Sequence, residues 1–183
     1  MEKKIVIVGM NHRSAPVEVR ERVAFESAVL DESLRRLSSL PTVEEGVILS
    51  TCNRVEVLAA VQNEDAALQD IKNFLIAQEA GEKRSRLEPH LYTYSDESAV
   101  RHLFRVAASL DSMVVGEPQI LGQLKEYYFA AQDAGTVGAI LHRLFHRSFS
   151  VAKRVRKETG IASRPVSVSS VAVDLARRIF DCL

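Results

Sequence analysis

A chain of 183 residues, 46% hydrophobic and 26% charged, can bury a core of ordinary size and is not a disordered tail. Its 24 basic residues balance 24 acidic ones, so no global field draws it to nucleic acid and only local patches remain for that purpose. The two cysteines, Cys52 and Cys182, lie far apart with no CxxC pair and no His/Cys cluster at metal spacing. That excludes a zinc-finger or disulfide framework, leaves no metal expected, and favours a reducing, cytoplasmic setting.

Ile5 to Met10 is a continuous apolar run and reads as a central strand. It is too short for the apolar part of a secretion signal, and no run in the chain approaches the ~20 residues that span a bilayer, so no membrane partner is expected. Asn11 to Pro16 is a polar turn, and Pro16 suits the first turn of a helix running to about Phe25. A second helix is predicted from Glu26 to Leu40, with Leu30, Leu34 and Leu37 on one side and Pro41 ending it. Gly46 to Leu49 and Val55 to Val61 read as two strands, joined by Ser50-Thr51-Cys52-Asn53-Arg54.

A thiol at a strand-to-strand junction is held by rigid backbone yet can open to a cleft. Arg54, two residues on, would favour its thiolate, because a nearby cation lowers the ~8.5 pKa of a free cysteine. The bland reading of Cys52 is a small buried hydrophobe, and spacing alone leaves both open. A helix is predicted from Glu64 to Ala80 with Gly81 as its cap, then a short strand at Leu91 to Tyr94. Residues 1–95 thus read strand, helices, strand, strand, helix, strand. This is the order of an α+β, ferredoxin-like split βαβ subdomain with an antiparallel sheet, here carrying the cysteine.

From Ser95 onward the pattern is helical. Ser95 is the predicted cap of a helix whose apolar stripe is Val100, Leu103, Phe104, Ala107 and Ala108; His102, Arg105 and Ser109 fall on the other face. That face is either solvated or borders a cleft, with His102 as a proton-transfer group. Gly116 and Pro118 break the helix and restart it. A restart offers unpaired N–H groups to an anion, with Ser112, Glu117, Gln119 and Gln123 around them. Val137 to Glu158 is a long amphipathic helix with Arg143, Arg147, Lys153, Arg154, Arg156 and Lys157 on it, either a solvated face or an RNA-contacting one. Residues 96–158 are therefore read as a helical subdomain and the start of a long linking helix. The last helix, Val168 to Leu183, carries no stop signal, which implies continuation into a longer protein.

Five segments carry a resemblance to the glutamyl-tRNA reductases. They are Gly9 to Glu21 (GMNHRSAPVEVRE), Leu49 to Glu56 (LSTCNRVE), His102 to Ala107 (HLFRVA), Leu110 to Gln123 (LDSMVVGEPQILGQ) and Pro165 to Ala176 (PVSVSSVAVDLA). They run in order over nearly the whole chain. One departure is Ser109, where that family usually has glycine.

The resemblance implies an N-terminal catalytic domain that works on glutamyl-tRNA at the entry to tetrapyrrole (porphyrin) synthesis. Cys52 matches the nucleophile that forms a glutamyl thioester, and His102 matches a histidine important for activity. Thr51, Asn53, Arg54, Ser112, Glu117, Pro118, Gln119 and Gln123 match substrate-contacting positions, Arg54 as partner of the glutamate carboxylate. The reductant is NADPH, but nothing in this sequence reads GxGxxG after a strand, so its binding domain is expected to be absent, with residues 159–183 as the lead-in to it. The full-length protein is expected to be a homodimer, with the downstream aminomutase as a further partner. Thiol and imidazole are expected to open onto one shared cleft. Two rival readings are a Cys/His acyl hydrolase and a non-catalytic RNA-binding module built on the basic helix.

Overall fold

In the computed structural model, which describes residues 3–77, 86–162 and 168–180, strands β1 (Lys4–Asn11), β2 (Val43–Thr51), β3 (Arg54–Val61) and β4 (Tyr92–Ser95) form a sheet of order β2-β3-β1-β4. Every neighbouring pair is antiparallel, and the order is that of the split βαβ unit. Alternation of side chains then fixes two faces. Val6, Val8, Met10, Val55, Val57 and Ala59 share one face with Gly46 and Ile48. Two helices cover it, α2 (Leu30–Ser38) on β2 and α3 (Glu64–Ile76) on β1 and β3. Leu37 of α2 lies so close to Gly46 that a Cβ there would sit 2.7 Å from its methyl carbon.

The opposite face presents Ile7, Gly9 and Asn11 of β1, Arg54, Glu56 and Leu58 of β3, and Tyr92 and Tyr94 of β4. Helices α4 (Glu97–Ala107), α5 (Gln119–Asp133) and α6 (Ala139–Glu158) pack against this side of the sheet and each other, and one contiguous apolar core includes residues of all three. The residues after 95 thus complete the second layer over the sheet that begins at residue 4. Helix α7 (Val168–Ile179) follows. The predicted cap Gly81, Pro165 of the fifth segment and Cys182 lie outside the described residues.

Local chemistry accounts for the departures from the sequence reading. Helix α1 covers only Val17–Arg22, because the Phe25 N–H donates to Ser50 Oγ at 2.9 Å and draws the chain toward β2. Ser27–Val29 forms a 3-10 turn ahead of α2. Ser95 does not cap α4: its hydroxyl donates to Glu64, and the cap position is Asp96, at φ 45°. The Asp96 carboxylate accepts from Lys4 Nζ at 2.6 Å and the Ile5 N–H at 3.2 Å, which holds that strained residue.

Strand β2 begins at Val43, earlier than the apolar run, because buried Glu45 has a purpose there. It accepts the N–H groups of Gly138, Ile140 and Leu141 at 3.1, 3.1 and 2.8 Å, and so caps the start of α6 from the sheet. A carboxylate satisfying the orphan donors of a helix N-terminus is favourable by both hydrogen bonding and the helix dipole. Between α4 and α5 the chain turns at Ser109, whose φ of 61° is left-handed. Its Oγ donates to the Glu117 carbonyl at 2.6 Å, closing the 109–117 loop across its base.

Two stability predictions follow from these contacts, both read by urea denaturation. Glu45→Ala strands three helix N–H groups and should cost ~2–3 kcal/mol. At position 109, glycine relieves ~1 kcal/mol of left-handed strain while losing a bond worth ~1 kcal/mol, so Ser109→Gly should be near neutral. Ser109→Ala keeps the strain and loses the bond, and should be less stable than wild type by ~1 kcal/mol.

Candidate active site

Cys52 and Asn53 are the two residues of the hairpin loop between β2 and β3, with Thr51 paired to Arg54 across it. Side chains and backbone from four other segments fix this loop. Thr51 Oγ1 accepts the N–H groups of Asn53 and Arg54 at 3.3 and 3.2 Å. The His12 N–H, just beyond β1, donates to the Asn53 carbonyl at 2.9 Å. Arg20 of α1 donates from Nε to the Cys52 carbonyl at 3.0 Å and from Nη1 to the Ala15 carbonyl at 2.6 Å. Tyr127 of α5 donates its hydroxyl to the Ser50 carbonyl. The loop is tied down by these hydrogen bonds and the Cys52 side chain is exposed, so the bland reading of a buried hydrophobe does not hold.

The thiol opens onto a narrow cleft of about 100 Å³ lined by Thr51, Cys52, Asn53, Arg54, Ser112, Glu117, Gln119, Ile120 and Gln123. Every residue expected to contact substrate is in this set except Pro118, which sits at the start of α5. Ile120, an apolar residue on the first turn of α5, lines the cleft without having been foreseen.

Arg54 is the largest fully buried side chain, 1% exposed. Its Nη1 donates to Glu56 Oε1 at 2.6 Å, and its Nη2 to Asp111 Oδ2 at 3.0 Å and to the Asp111 carbonyl. Asp111 also pairs with Arg13 Nη1 at 3.2 Å. Glu56 Oε1 further accepts from the Tyr92 hydroxyl at 2.5 Å and contacts His102 Nε2 at 2.9 Å. The sheet register makes this meeting possible. Glu56 of β3 and Tyr92 of β4 both pair with Gly9 of β1 between them, and a Cβ on Gly9 would lie 2.7 Å from Glu56 Cγ. Only glycine leaves room for the two side chains to join over β1.

His102 is buried on α4, stacked on Tyr94 with centroids 4.6 Å apart and edge-on to Tyr92 at 5.7 Å. It does not line the cysteine cleft. It borders a separate hollow of about 490 Å³ with Tyr94, Glu97, Ser98, Arg101, Arg105 and Asp111. The expectation of one shared cleft is therefore corrected: thiol and imidazole border different hollows, and Glu56 joins Arg54 of the first to His102 of the second. A Cys–His pair of the acyl-hydrolase kind needs the two groups within hydrogen-bond reach, and they face different cavities.

Electrostatics follow from this packing. Burial pushes the Glu56 carboxyl up, but the Arg54 charge and the His102 and Tyr92 contacts outweigh it and hold the group at about 2. Burial and the Glu56 charge push the Tyr92 phenol far up, so it stays a donor. Burial, then Arg13 and Arg54, push the His12 imidazole down toward its neutral form. Its Nδ1 is buried without a hydrogen-bond partner among the described residues.

The sequence reading passed over Glu56 and Asp111 as site residues. The signal at Glu56 was present, as an acid two residues from Arg54 inside an apolar strand, hence on the same face. No group of three or more His, Cys, Asp or Glu among the described residues is placed to hold a metal. The sheet is antiparallel throughout, so the described residues form no parallel βαβ unit with a glycine-rich turn. No helix among the described residues is long and apolar enough to cross a membrane.

A pH dependence follows from Glu56. Its folded pKa of about 2 lies below the ordinary 4.5, so its stabilisation is complete above pH 4.5 and is lost as pH falls through about 2. Urea midpoints measured across that window should drop in the wild type, and Glu56→Gln should remove part of the drop.

Residues 8–159 match the model of the family described as glutamyl-tRNAGlu reductase, N-terminal domain. The chain is 53% identical over 176 residues to the glutamyl-tRNA reductase of Desulfatibacillum aliphaticivorans, covering 96% of the chain and 40% of that protein. It is 55% identical over 175 residues to that of Pelobacter propionicus, with the same coverage of 96% and 40%. Among solved structures, glutamyl-tRNA reductase from Methanopyrus kandleri superposes with a TM-score of 0.73 at 37% identity, over 95% of this chain and 39% of that one. The chain spans about two fifths of the length of these relatives. With its sheet order, cysteine hairpin and matched residues taken together, the chain belongs to the N-terminal domain family of the glutamyl-tRNA reductases.

Proposed function

We propose that this chain is the catalytic domain of a glutamyl-tRNA reductase and that it forms a thioester between Cys52 and the glutamyl group of glutamyl-tRNA. The observation that carries this reading is the exposed thiol on a rigid hairpin, facing a cleft lined by polar groups. The Cys52 thiolate attacks the ester carbonyl carbon, and the C–O bond to the terminal ribose of the tRNA then breaks. The ribose oxygen leaves and takes up from solvent a proton equivalent to the one the thiol gave up on ionising, and the glutamyl group stays on sulfur. A thioester carbonyl is less resonance-stabilised than an ester, which makes it the better hydride acceptor.

Arg54 lines the cleft and is the partner for the glutamate side-chain carboxylate. Its Nη1 and Nη2 are engaged by Glu56 and Asp111, while Nε makes no hydrogen bond among the described residues, which leaves an edge for a charge-assisted contact. Thr51, Asn53, Ser112, Glu117, Gln119 and Gln123 supply the remaining hydrogen-bonding groups of the cleft, and Pro118 sets the start of the helix that carries two of them. Exposed Arg143, Arg147, Lys153 and Lys157 on α6 offer a track for tRNA phosphates.

Reduction to glutamate-1-semialdehyde draws its hydride from NADPH, for which the described residues form no parallel βαβ unit with a glycine-rich turn. Family membership is the support for placing the whole protein in the cytoplasm, at the first step of tetrapyrrole synthesis, as a homodimer that hands its aldehyde to the downstream aminomutase.

Incubation with labelled glutamyl-tRNA, with and without NADPH, tests the reading. Label should move to the chain, the Cys52→Ser variant should stay at background, and no aldehyde should form in either condition. Label transfer to Cys52→Ser, or none to the wild type, would overturn the thioester assignment. Aldehyde formation by the wild-type chain would overturn the separation of acyl transfer from reduction.

A further inference from the structure

Arg54 is an unusual anchor because it is almost wholly buried and its position depends on other side chains. A free arginine loses rotamer entropy when fixed, and a buried one without partners carries a further desolvation cost. Glu56 and Asp111 offset part of these costs by pairing with Nη1 and Nη2. Glu56 is itself held from two sides, by the Tyr92 hydroxyl and by His102 Nε2, on the same oxygen that takes Arg54. His102 is in turn clamped by its stack on Tyr94.

We propose that Glu56 is a positioning residue for the Arg54 guanidinium, and that His102 acts on the reaction through Glu56 rather than as a proton-transfer group at the thiol. The imidazole and phenol orient the carboxylate, the carboxylate orients the guanidinium, and the guanidinium presents its remaining edge to a carboxylate entering the Cys52 cleft. Neither Glu56 nor His102 borders that cleft, whereas Arg54 does. The inference rests on the assignment of Arg54 as the partner of the glutamyl carboxylate.

Competitive alkylation of Cys52 by iodoacetate and iodoacetamide, read by peptide mapping on the whole chain, tests it without tRNA. The anionic reagent senses the guanidinium and the neutral one does not. Arg54→Gln sets the ratio without that charge, lower than wild type by roughly fivefold, the worth of one contact charge in water. Glu56→Gln removes a negative charge, so a purely electrostatic role for Glu56 would raise the iodoacetate share. Loss of positioning lowers it toward the Arg54→Gln value, which is the expected result. His102→Asn should lower the ratio likewise while its iodoacetamide rate stays at the wild-type level.

Should Glu56→Gln fail to fold, Tyr92→Phe removes one of the three contacts to the same oxygen and should shift the ratio in the same direction by a smaller factor. A second readout is the preference for glutamyl- over glutaminyl-tRNA in thioester formation, which should fall in the same variants. An unchanged or raised ratio in folded Glu56→Gln, or a His102→Asn variant that slows iodoacetamide and leaves the ratio alone, would overturn the proposal. A wild type that takes no label from glutamyl-tRNA would count against the proposed function, while the alkylation ratio would still decide this point.

Discussion

The buried pairing of Arg54 with Glu56 and Asp111 is the constraint on which the site depends. Three strands and one loop converge on it: Arg54 and Glu56 from β3, Tyr92 from β4 over the gap at Gly9 of β1, and Asp111 from the turn after α4. Buried ion pairs are weak sources of stability, since desolvation offsets most of the attraction, and an apolar replacement of equal volume is often as stable. Their presence at the end of the cysteine hairpin is better explained by placement. A fork with five donors in fixed geometry can be held by two nitrogens and still offer a third.

The same placement logic explains how the two layers of helices differ. The face under α2 and α3 is apolar along its length, with Val6, Val8, Val55, Val57 and Ile48 packed there. The face under α4, α5 and α6 is apolar only in part. At one end Glu45 caps α6, and at the other Arg54 and Glu56 form the polar cluster. Both ends bury carboxylates, but their partners differ. Glu45 is satisfied by backbone N–H groups and serves to fix a helix on the sheet. Glu56 is satisfied by side chains, so its neighbours can transmit a change in one group to the next.

What the sequence made legible was whatever period and composition determine. The apolar runs at Ile5–Met10 and Val55–Val61 gave the central strands, and their order with the helices gave the antiparallel sheet. Residues near one another in the chain, such as Thr51 to Arg54 or Glu117 to Gln123, were readable as groups, and the fold brings the two groups to one cleft. The failures came where a polar side chain serves a partner distant in sequence. The apolar run put the start of β2 at Gly46, because the pattern does not show the partners of Glu45, which lie at the start of α6 more than 90 residues on. Ser95 looked like a cap because the pattern shows neither Lys4 nor Glu64, which claim Asp96 and Ser95. The relation of His102 to Cys52 was wrong for the same reason. Helical periodicity put His102 on a polar face, but which hollow that face borders depends on how α4 crosses β1 and β4.

Ser109 shows how a departure from a family pattern can be absorbed locally. Glycine at a left-handed position carries no steric penalty, and serine there costs about 1 kcal/mol. The hydroxyl that comes with the penalty also supplies a donor, and it reaches the Glu117 carbonyl at the far end of the loop. That loop carries Asp111, which holds Arg54, and both Ser112 and Glu117, which line the cysteine cleft. The loop is held a second time at Gly116, whose N–H donates to the Ser109 carbonyl at 3.1 Å and whose φ of 91° suits glycine. The loop is thus tied at 109, 111 and 116, on either side of the two residues it contributes to the cleft. The serine is therefore part of the frame that places Asp111, and through it the Arg54 guanidinium that Asp111 holds.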